Sequence, residues 1–366
     1  MSDFRYEIAL QQLYGIGLNN AKHLIEHYGS AENVFLYADK DIAKTQHGNV
    51  SIKQIKQQAL EQADAEMEFI HKHNIRVAYY QNDDYPYRLK ECIDAPILLY
   101  GLGNYDYNCR HVVSVVGTRM PTDRGKEQCR QFVADLANLL PDTLIISGLA
   151  YGIDVTAHRA ALDYGLPTLI IPAHGLDRIY PAVHRNVAME AVRHGGILTE
   201  FKSETRPDKP NFVQRNRIIA GLADAVVVVE SKERGGSLIT AEMANSYSRE
   251  VFAFPGRGND EQSKGCNKLI KYDKARLIEN AEDMLTHMMW EQTKQLQPLQ
   301  TELLPELEPN EQKIIDTLHH EPDGMHINQI LTFVELPFAE VSAQLFTMEM
   351  KGLVKSLPGG LYRALK

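Results

Sequence analysis

Residues 143–165 read TLIISGLAYGIDVTAHRAALDYG. A short apolar run ends at Ser147, a turn of small residues follows, and from Asp154 apolar positions recur at helical spacing. Strand, turn and helix in this order are how a doubly wound fold sets backbone N–H groups against a phosphate. On this stretch alone the phosphate could belong to a dinucleotide, a nucleotide substrate or a nucleic-acid backbone.

The same alternation extends outward on both sides. Apolar runs HVVSVVG (111–117), PTLIIPA (167–173), GGILTEF (195–201), AVVVVE (225–230) and EVFAFPG (250–256) alternate with amphipathic stretches over 123–140, 154–164, 184–194, 214–222 and 237–248. Continuous apolar strands with helices between them need both sheet faces covered. The expected fold is therefore α/β: an extended Rossmann-like, doubly wound, mainly parallel sheet, occupying residues 71–285. IRVAYY and APILLYG add strands at its start.

Smaller modules are expected on either side. Residues 1–70 read as a helix-hairpin-helix, SAM-like domain, with LYGIGLNNAKHLIEHYG (13–29) as its Gly-x-Gly turn. That turn suits either a DNA phosphate contact or a plain bend between packed helices, and the local acidity favours the bend. Residues 286–302, rich in Gln, Leu, Glu and Pro, read as a linker. Residues 303–366 offer three helices and a Gly-Gly hairpin, a winged-helix-like domain. Its third helix has Glu340, Glu349 and only Lys351, which suits a protein contact or a structural role better than a DNA groove.

Net charge is −9 over 366 residues, yet the charge is unevenly spread. Residues 1–108 carry 10 basic and 15 acidic residues, 109–285 carry 23 and 22, and 286–366 carry 6 and 11. Within the middle, KSETRPDKPNFVQRNR (202–217) has five basic and two acidic residues, which makes it the expected contact for a polyanion. The four cysteines are far apart and form no C-x-x-C pair, which suits reduced thiols rather than disulfides or zinc. Apolar runs fall short of the ~20 residues of a bilayer span, and the first residues lack a secretion signal. A cytoplasmic location is the expectation.

Small cofactors are disfavoured by the glycine spacing. VVGTRMPTDRG lacks the G-x-G-x-x-G of a dinucleotide fold, and GTRMPTDRGKE lacks the G-K-[ST] ending of a P-loop. No cofactor and no metal are expected. The carboxyl ends of the strands instead gather small and basic residues: Gly117, Thr118 and Arg119, then Ser147, Gly148, Gly152 and Asp154, then Gly235, Gly236, Ser237 and Thr240. Two of these turns lead into helices whose first N–H groups would face an anion. Asp154 reads as a helix N-cap, and His158 and His184 as helix-face residues. The segment 202–217, read as a loop, would add Lys209, Arg215 and Arg217, Phe212 as a stacking face, and Asn216 as a tie to the next helix.

VVGTR, SGLAYGIDVTAHRAAL, GLDRIYPAVHRNV, GGILTEF, FVQRNRIIAGLADAVVVVE, GGSLITAEMA, REVFAFPG and SKGCNKLI follow one another in an order that resembles the DNA-processing protein A family (DprA/Smf). The resemblance covers residues ~80–285, and the flanking modules suit it. It implies a protein without catalytic activity that binds single-stranded DNA, protects incoming strands and helps load the RecA recombinase in natural transformation. It also implies a homodimer formed through the Rossmann-like core. By motif, Arg119, Lys209 and Phe212 fall where the family contacts backbone and base. The remaining residues named above surround that contact. An alternative is a phosphoribohydrolase-like nucleotide-processing enzyme on the same Rossmann variant, in which GGSLITAE would supply the loop and Glu242 a carboxylate.

Overall fold

The computed structural model describes residues 4–13, 15–45, 51–291, 307–321, 324–334 and 336–365. The described chain begins with five helices: α1 (Arg5–Gln12), α2 (Leu18–Tyr28), α3 (Ala31–Tyr37), α4 (Asp39–Thr45) and α5 (Ile52–Lys72). Between α1 and α2, Gly15 has φ 77° and Gly17 serves as N-cap, so the Gly-x-Gly stretch is a bend between packed helices. Ile8, Leu10, Ile25, Val34 and Ile42 from these helices pack against Ile97, Leu98 and Tyr100 at the edge of the sheet. The N-terminal helices and the sheet thus share a core, and one compact unit runs from Met1 to Lys294.

The sheet and its helices follow as β1 (Arg76–Tyr79), α6 (Tyr87–Lys90), β2 (Leu98–Gly103), β3 (Val112–Val116), α7 (Asp123–Leu139) and β4 (Leu144–Ser147). Next come α8 (Ile153–Asp163), β5 (Thr168–Ile170), α9 (Arg185–Arg193), β6 (Gly195–Thr199) and α10 (Lys209–Leu222). The unit closes with β7 (Ala225–Val228), α11 (Gly236–Ser246), β8 (Glu250–Ala253), α12 (Lys264–Lys271), β9 (Arg276–Leu277) and α13 (Ala281–Met288). In space the order is β1-β2-β6-β5-β4-β3-β7-β8-β9. From β6 to β9 every pairing is parallel, and β1 and β2 join one edge antiparallel. The expected mainly parallel doubly wound sheet is what forms.

The continuous apolar runs have a direct cause. Along β3, Val112 and Val116 pack into one core with Ile218, Ile219 and Ala241 of α10 and α11. Val113 and Val115 pack into the other with Phe132, Val133 and Ala157 of α7 and α8. Successive strand residues point to opposite faces, so a strand covered on both sides is apolar on both faces. The one polar residue of β3, Ser114, is buried and donates its hydroxyl to the Ile219 carbonyl at 2.7 Å, fastening α10 to the sheet.

A second compact unit runs from Gln295 to Lys366. It contains α14 (Pro309–His319), β10 (Met325–His326), α15 (Ile327–Val334), α16 (Phe338–Met350), β11 (Val354–Leu357) and β12 (Leu361–Ala364). Ile314, Leu318, Ile330, Val341, Leu345 and Met348 form its core. The hairpin turns through three residues, 358–360, between the paired Leu357 and Leu361, and Gly359 and Gly360 both take positive φ there. Three helices and a three-stranded sheet match the winged-helix expectation. Most of the linker expected at 286–302 lies outside the described residues, and 286–288 complete α13.

Candidate nucleic-acid interface

From β3 the chain winds through β4, β5 and β6 to one side, then crosses back to place β7 against the other side of β3. The carboxyl ends of β3 and β7 therefore flank a topological switch point, where open α/β sheets bind ligands. The Thr118 N–H donates to the Glu230 carbonyl at 2.7 Å and ties the two strand ends together. A cavity of about 550 Å³ opens here. Its walls include Gly117, Thr118 and Arg119 after β3, Asp154 of α8, Lys209, Phe212, Arg215 and Asn216 of α10, and Gly235, Gly236, Ser237 and Thr240 at the start of α11.

Phe212 is the centre of the arrangement. The Arg119 guanidinium lies 5.3 Å from its ring centroid and that of Arg215 lies 6.0 Å away, with the Tyr180 ring edge-on at 6.1 Å. Arg119 and Lys209 are exposed, whereas Arg215 is only 3% exposed. Arg215 Nη1 donates to the Ile171 carbonyl at 2.5 Å, and its Nε has no partner. Burial lowers the Arg215 pKa to about 10, so it stays cationic at neutral pH. Asp154 is held beside it, and burial raises the Asp154 pKa despite that guanidinium. The site thus combines exposed cations, one buried cation and an aromatic ring, the pairing that suits a backbone with bases attached.

The two helix-leading turns differ. Gly235 is the N-cap of α11 and supplies no side-chain cap, so the first turn of an 11-residue helix opens on the cavity. At the other turn the backbone donors are already engaged. The Ala150 N–H donates to Asp154 Oδ2 at 3.3 Å, and the Ile153 N–H to the Thr118 carbonyl at 3.2 Å. This turn acts instead by shape. Leu149 is held at φ 60°, and Gly152, at φ 82°, could not carry a Cβ without striking the Thr118 carbonyl.

Several expectations are corrected by these contacts. Asp154 is not the N-cap of α8: Gly152 holds that position, and Asp154 sits in the first turn bonding back to Ala150. Residues 209–217 are not loop, because α10 begins at Lys209 with Pro210 in its first turn, so the basic residues project from a helix. Ser147 and Gly148 do not line the cavity. The Ser147 hydroxyl donates to the Val115 carbonyl at 2.6 Å, and Gly148 leaves room for Arg215. Arg217 points away from it: its guanidinium bonds the Asp94 carbonyl and the Glu200 carboxylate, on the wall of a different cavity.

Tyr180, Lys232 and Arg234, absent from the residues the sequence picks out, line the same cavity. The two cations stand in SKERGG, directly before the glycines that were singled out, and Tyr180 stands in GLDRIYP. His158 lies on a buried face of α8, and His184, also buried, is the N-cap of α9. His158 Nδ1 meets Thr168 Oγ1 at 2.7 Å, and His184 Nδ1 meets the Leu149 carbonyl at 2.9 Å. Glu242 is exposed, pairs with Lys274 at 3.4 Å and does not line the cavity.

A family model described as DNA recombination-mediator protein A matches residues 76–289, and one described as the DprA winged helix domain matches 298–360. The chain belongs to the DprA/Smf family. Relatives include Protein Smf of Synechocystis sp., 31% identical over 99% of this chain and 99% of its own length. DNA processing protein DprA of Streptococcus pneumoniae is 41% identical over 56% of this chain and 71% of its own. Among solved structures, the pneumococcal DprA superposes with a TM-score of 0.66 at 34% identity, covering 78% of this chain and 98% of that one. The DNA processing protein A of Helicobacter pylori, described for its unique single-stranded DNA binding mode, gives 0.53 at 28% identity, covering 59% and 95%. This family member therefore carries the switch-point cavity on the family's own core.

Proposed function

We propose that this DprA/Smf protein binds single-stranded DNA in the switch-point cavity, protects incoming strands and helps load RecA in natural transformation. The observation that carries the reading is the Phe212 ring with the Arg119 and Arg215 guanidiniums 5.3 and 6.0 Å from its centroid, in a cavity that the uncapped start of α11 also lines. A base stacks on such a ring while cations hold its phosphates. The single-strand binding described for the Helicobacter pylori relative supports the same conclusion. In this reading the protein is a binder rather than a catalyst, works as a homodimer through its Rossmann-like core and resides in the cytoplasm. Among the described residues no single helix is long and apolar enough to cross a membrane.

The test is a gel-shift series with single- and double-stranded oligonucleotides over a range of salt. Tighter single-strand binding with a clear salt dependence is expected, weakened in Arg119→Ala and Lys209→Ala variants that still fold. Equal affinity for both forms, or no salt dependence, overturns the reading. RecA loading is tested separately, by the rate at which RecA coats a strand already covered by a single-strand-binding protein.

A further inference from the structure

The buried residues of α5 are Ala59, Ala63, Glu66 and Ile70, a helical stripe with a carboxylate where packing alone would place an apolar side chain. Glu66 is 5% exposed. Its Oε1 accepts from the Ser203 N–H at 2.9 Å and its Oε2 from the Ser203 hydroxyl at 2.5 Å, so one residue of the loop after β6 satisfies both oxygens. A carboxylate buried without such bonds costs free energy.

The same loop is fixed from other sides. The Gly175 N–H donates to the Thr205 carbonyl at 3.2 Å, and a Cβ on Gly175 would strike the Lys202 carbonyl and the Ser203 Cα. Glu204, held at φ 65°, donates its N–H to Asp177 Oδ1 at 3.0 Å. Further along, the Asn211 amide in the first turn of α10 donates to the Arg206 carbonyl at 2.9 Å. Between these ties Pro207 and Lys209 reach the switch-point cavity. The loop is therefore a strut that starts on α5 and ends at Lys209, the exposed cation that opens α10.

We propose that Glu66 is a positioning residue for single-strand binding: it does not meet the strand, and by holding Ser203 it sets where Lys209 meets a phosphate. This role rests on the single-strand reading. With an apolar side chain at position 66, the Ser203 N–H and hydroxyl would face α5 without an acceptor, and the start of the loop would shift outward to reach water. The N-terminal helices thus take part in binding through this contact, although the cavity lining comes from residues 116–240.

The experiment is a double-mutant cycle on the full chain, read by fluorescence anisotropy with a thymine 12-mer over a salt series. Lys209→Ala is expected to lower the slope of log affinity against log salt by about 0.7, the contribution of one single-strand phosphate. Glu66→Leu lowers it by the same amount, and the double variant binds within about twofold of Lys209→Ala. Glu66→Gln, whose amide accepts from the Ser203 N–H and donates to its hydroxyl oxygen, restores affinity to within about twofold of wild type. A residue serving only fold stability would leave the slope of a folded variant unchanged. Circular dichroism checks folding, and if Glu66→Leu does not fold, Ser203→Ala removes the hydroxyl's bond at a half-buried site and enters the same cycle. A wild-type slope in folded Glu66→Leu, or effects that add to those of Lys209→Ala, overturns the positioning role and leaves the single-strand reading standing. Absence of salt-dependent binding by the wild type overturns both.

Discussion

Arg215 crosses directly over Gly148, and a Cβ on Gly148 would collide with its guanidinium. The small residue after β4 is what lets an arginine from α10 reach the Ile171 carbonyl through the sheet's carboxyl edge. Gly148→Ala is expected to lower stability by about 1–3 kcal/mol through overpacking and to displace Arg215 from the cavity wall. Urea unfolding and single-strand affinity should therefore fall together, although Gly148 itself does not line the cavity.

Charge and stacking separate in the salt dependence. Removing one phosphate contact by Arg119→Ala should reduce the slope of log affinity against log salt by about 0.7 for a single strand. Phe212→Ala should cost about 1–3 kcal/mol of binding by loss of a stacking face, with the slope unchanged. Affinity measured at four or more salt concentrations distinguishes the two.

Arg217 should behave unlike its neighbours. Arg217→Met leaves the Glu200 carboxylate buried without its partner, which costs about 3–5 kcal/mol of stability. The salt slope of single-strand binding should stay at the wild-type value, because this guanidinium faces away from the switch-point cavity. A reduced slope would mean that Arg217 neutralises a phosphate.

Asp154 links binding to pH. Burial holds its pKa above the ordinary 3.8, and a phosphate brought into the same cavity raises it further. Binding is then accompanied by proton uptake, so affinity rises as pH falls toward the raised pKa. Asp154→Asn keeps an acceptor for the Ala150 N–H and should bind more tightly at neutral pH, with a flatter profile as pH falls toward the raised pKa. The measurement is the difference between the two profiles.

His158 gives acid sensitivity to the fold itself. The Thr168 hydroxyl donates to the Ile145 carbonyl, so it accepts from His158 Nδ1. Burial lowers the pKa from 6.5 to about 3. A histidine with a depressed folded pKa contributes stability above its unfolded value, and that contribution is lost as pH falls from 6.5 toward 3. The loss is at most about 1.4 kcal/mol per pH unit. His158→Gln should remove this component, read as a shallower decline of the urea midpoint below pH 6.5.

Much of the fold was legible because periodicity reports burial. The strands between Val112 and Ala253 are covered on both faces, an environment met by nearly continuous apolar runs whose few hydroxyls, as at Ser114, are hydrogen-bonded. The cavity was partly legible for a related reason. Strands that run parallel bring their carboxyl ends to one edge, so Gly117, Thr118, Arg119, Gly235 and Gly236 could be assembled from their places after strands alone. Lys232 and Arg234 were missed because exposed cations in a loop carry no spacing signal of their own.

The pattern of residues along the chain determined the doubly wound sheet, its winged-helix companion and the edge where a ligand would sit. Tertiary structure decided which side chains of a basic segment face that ligand. Arg215 and Arg217 stand two apart, which looks equivalent in a loop; on α10 two residues are about 200° of rotation, and the pair points into different cavities. Asp154 likewise became a partner of Ala150 and a neighbour of Arg215 only because the turn closed one residue pair earlier, at Gly152. Spacing along a chain records which face is buried, but the direction of a single polar side chain depends on packing from residues remote in sequence.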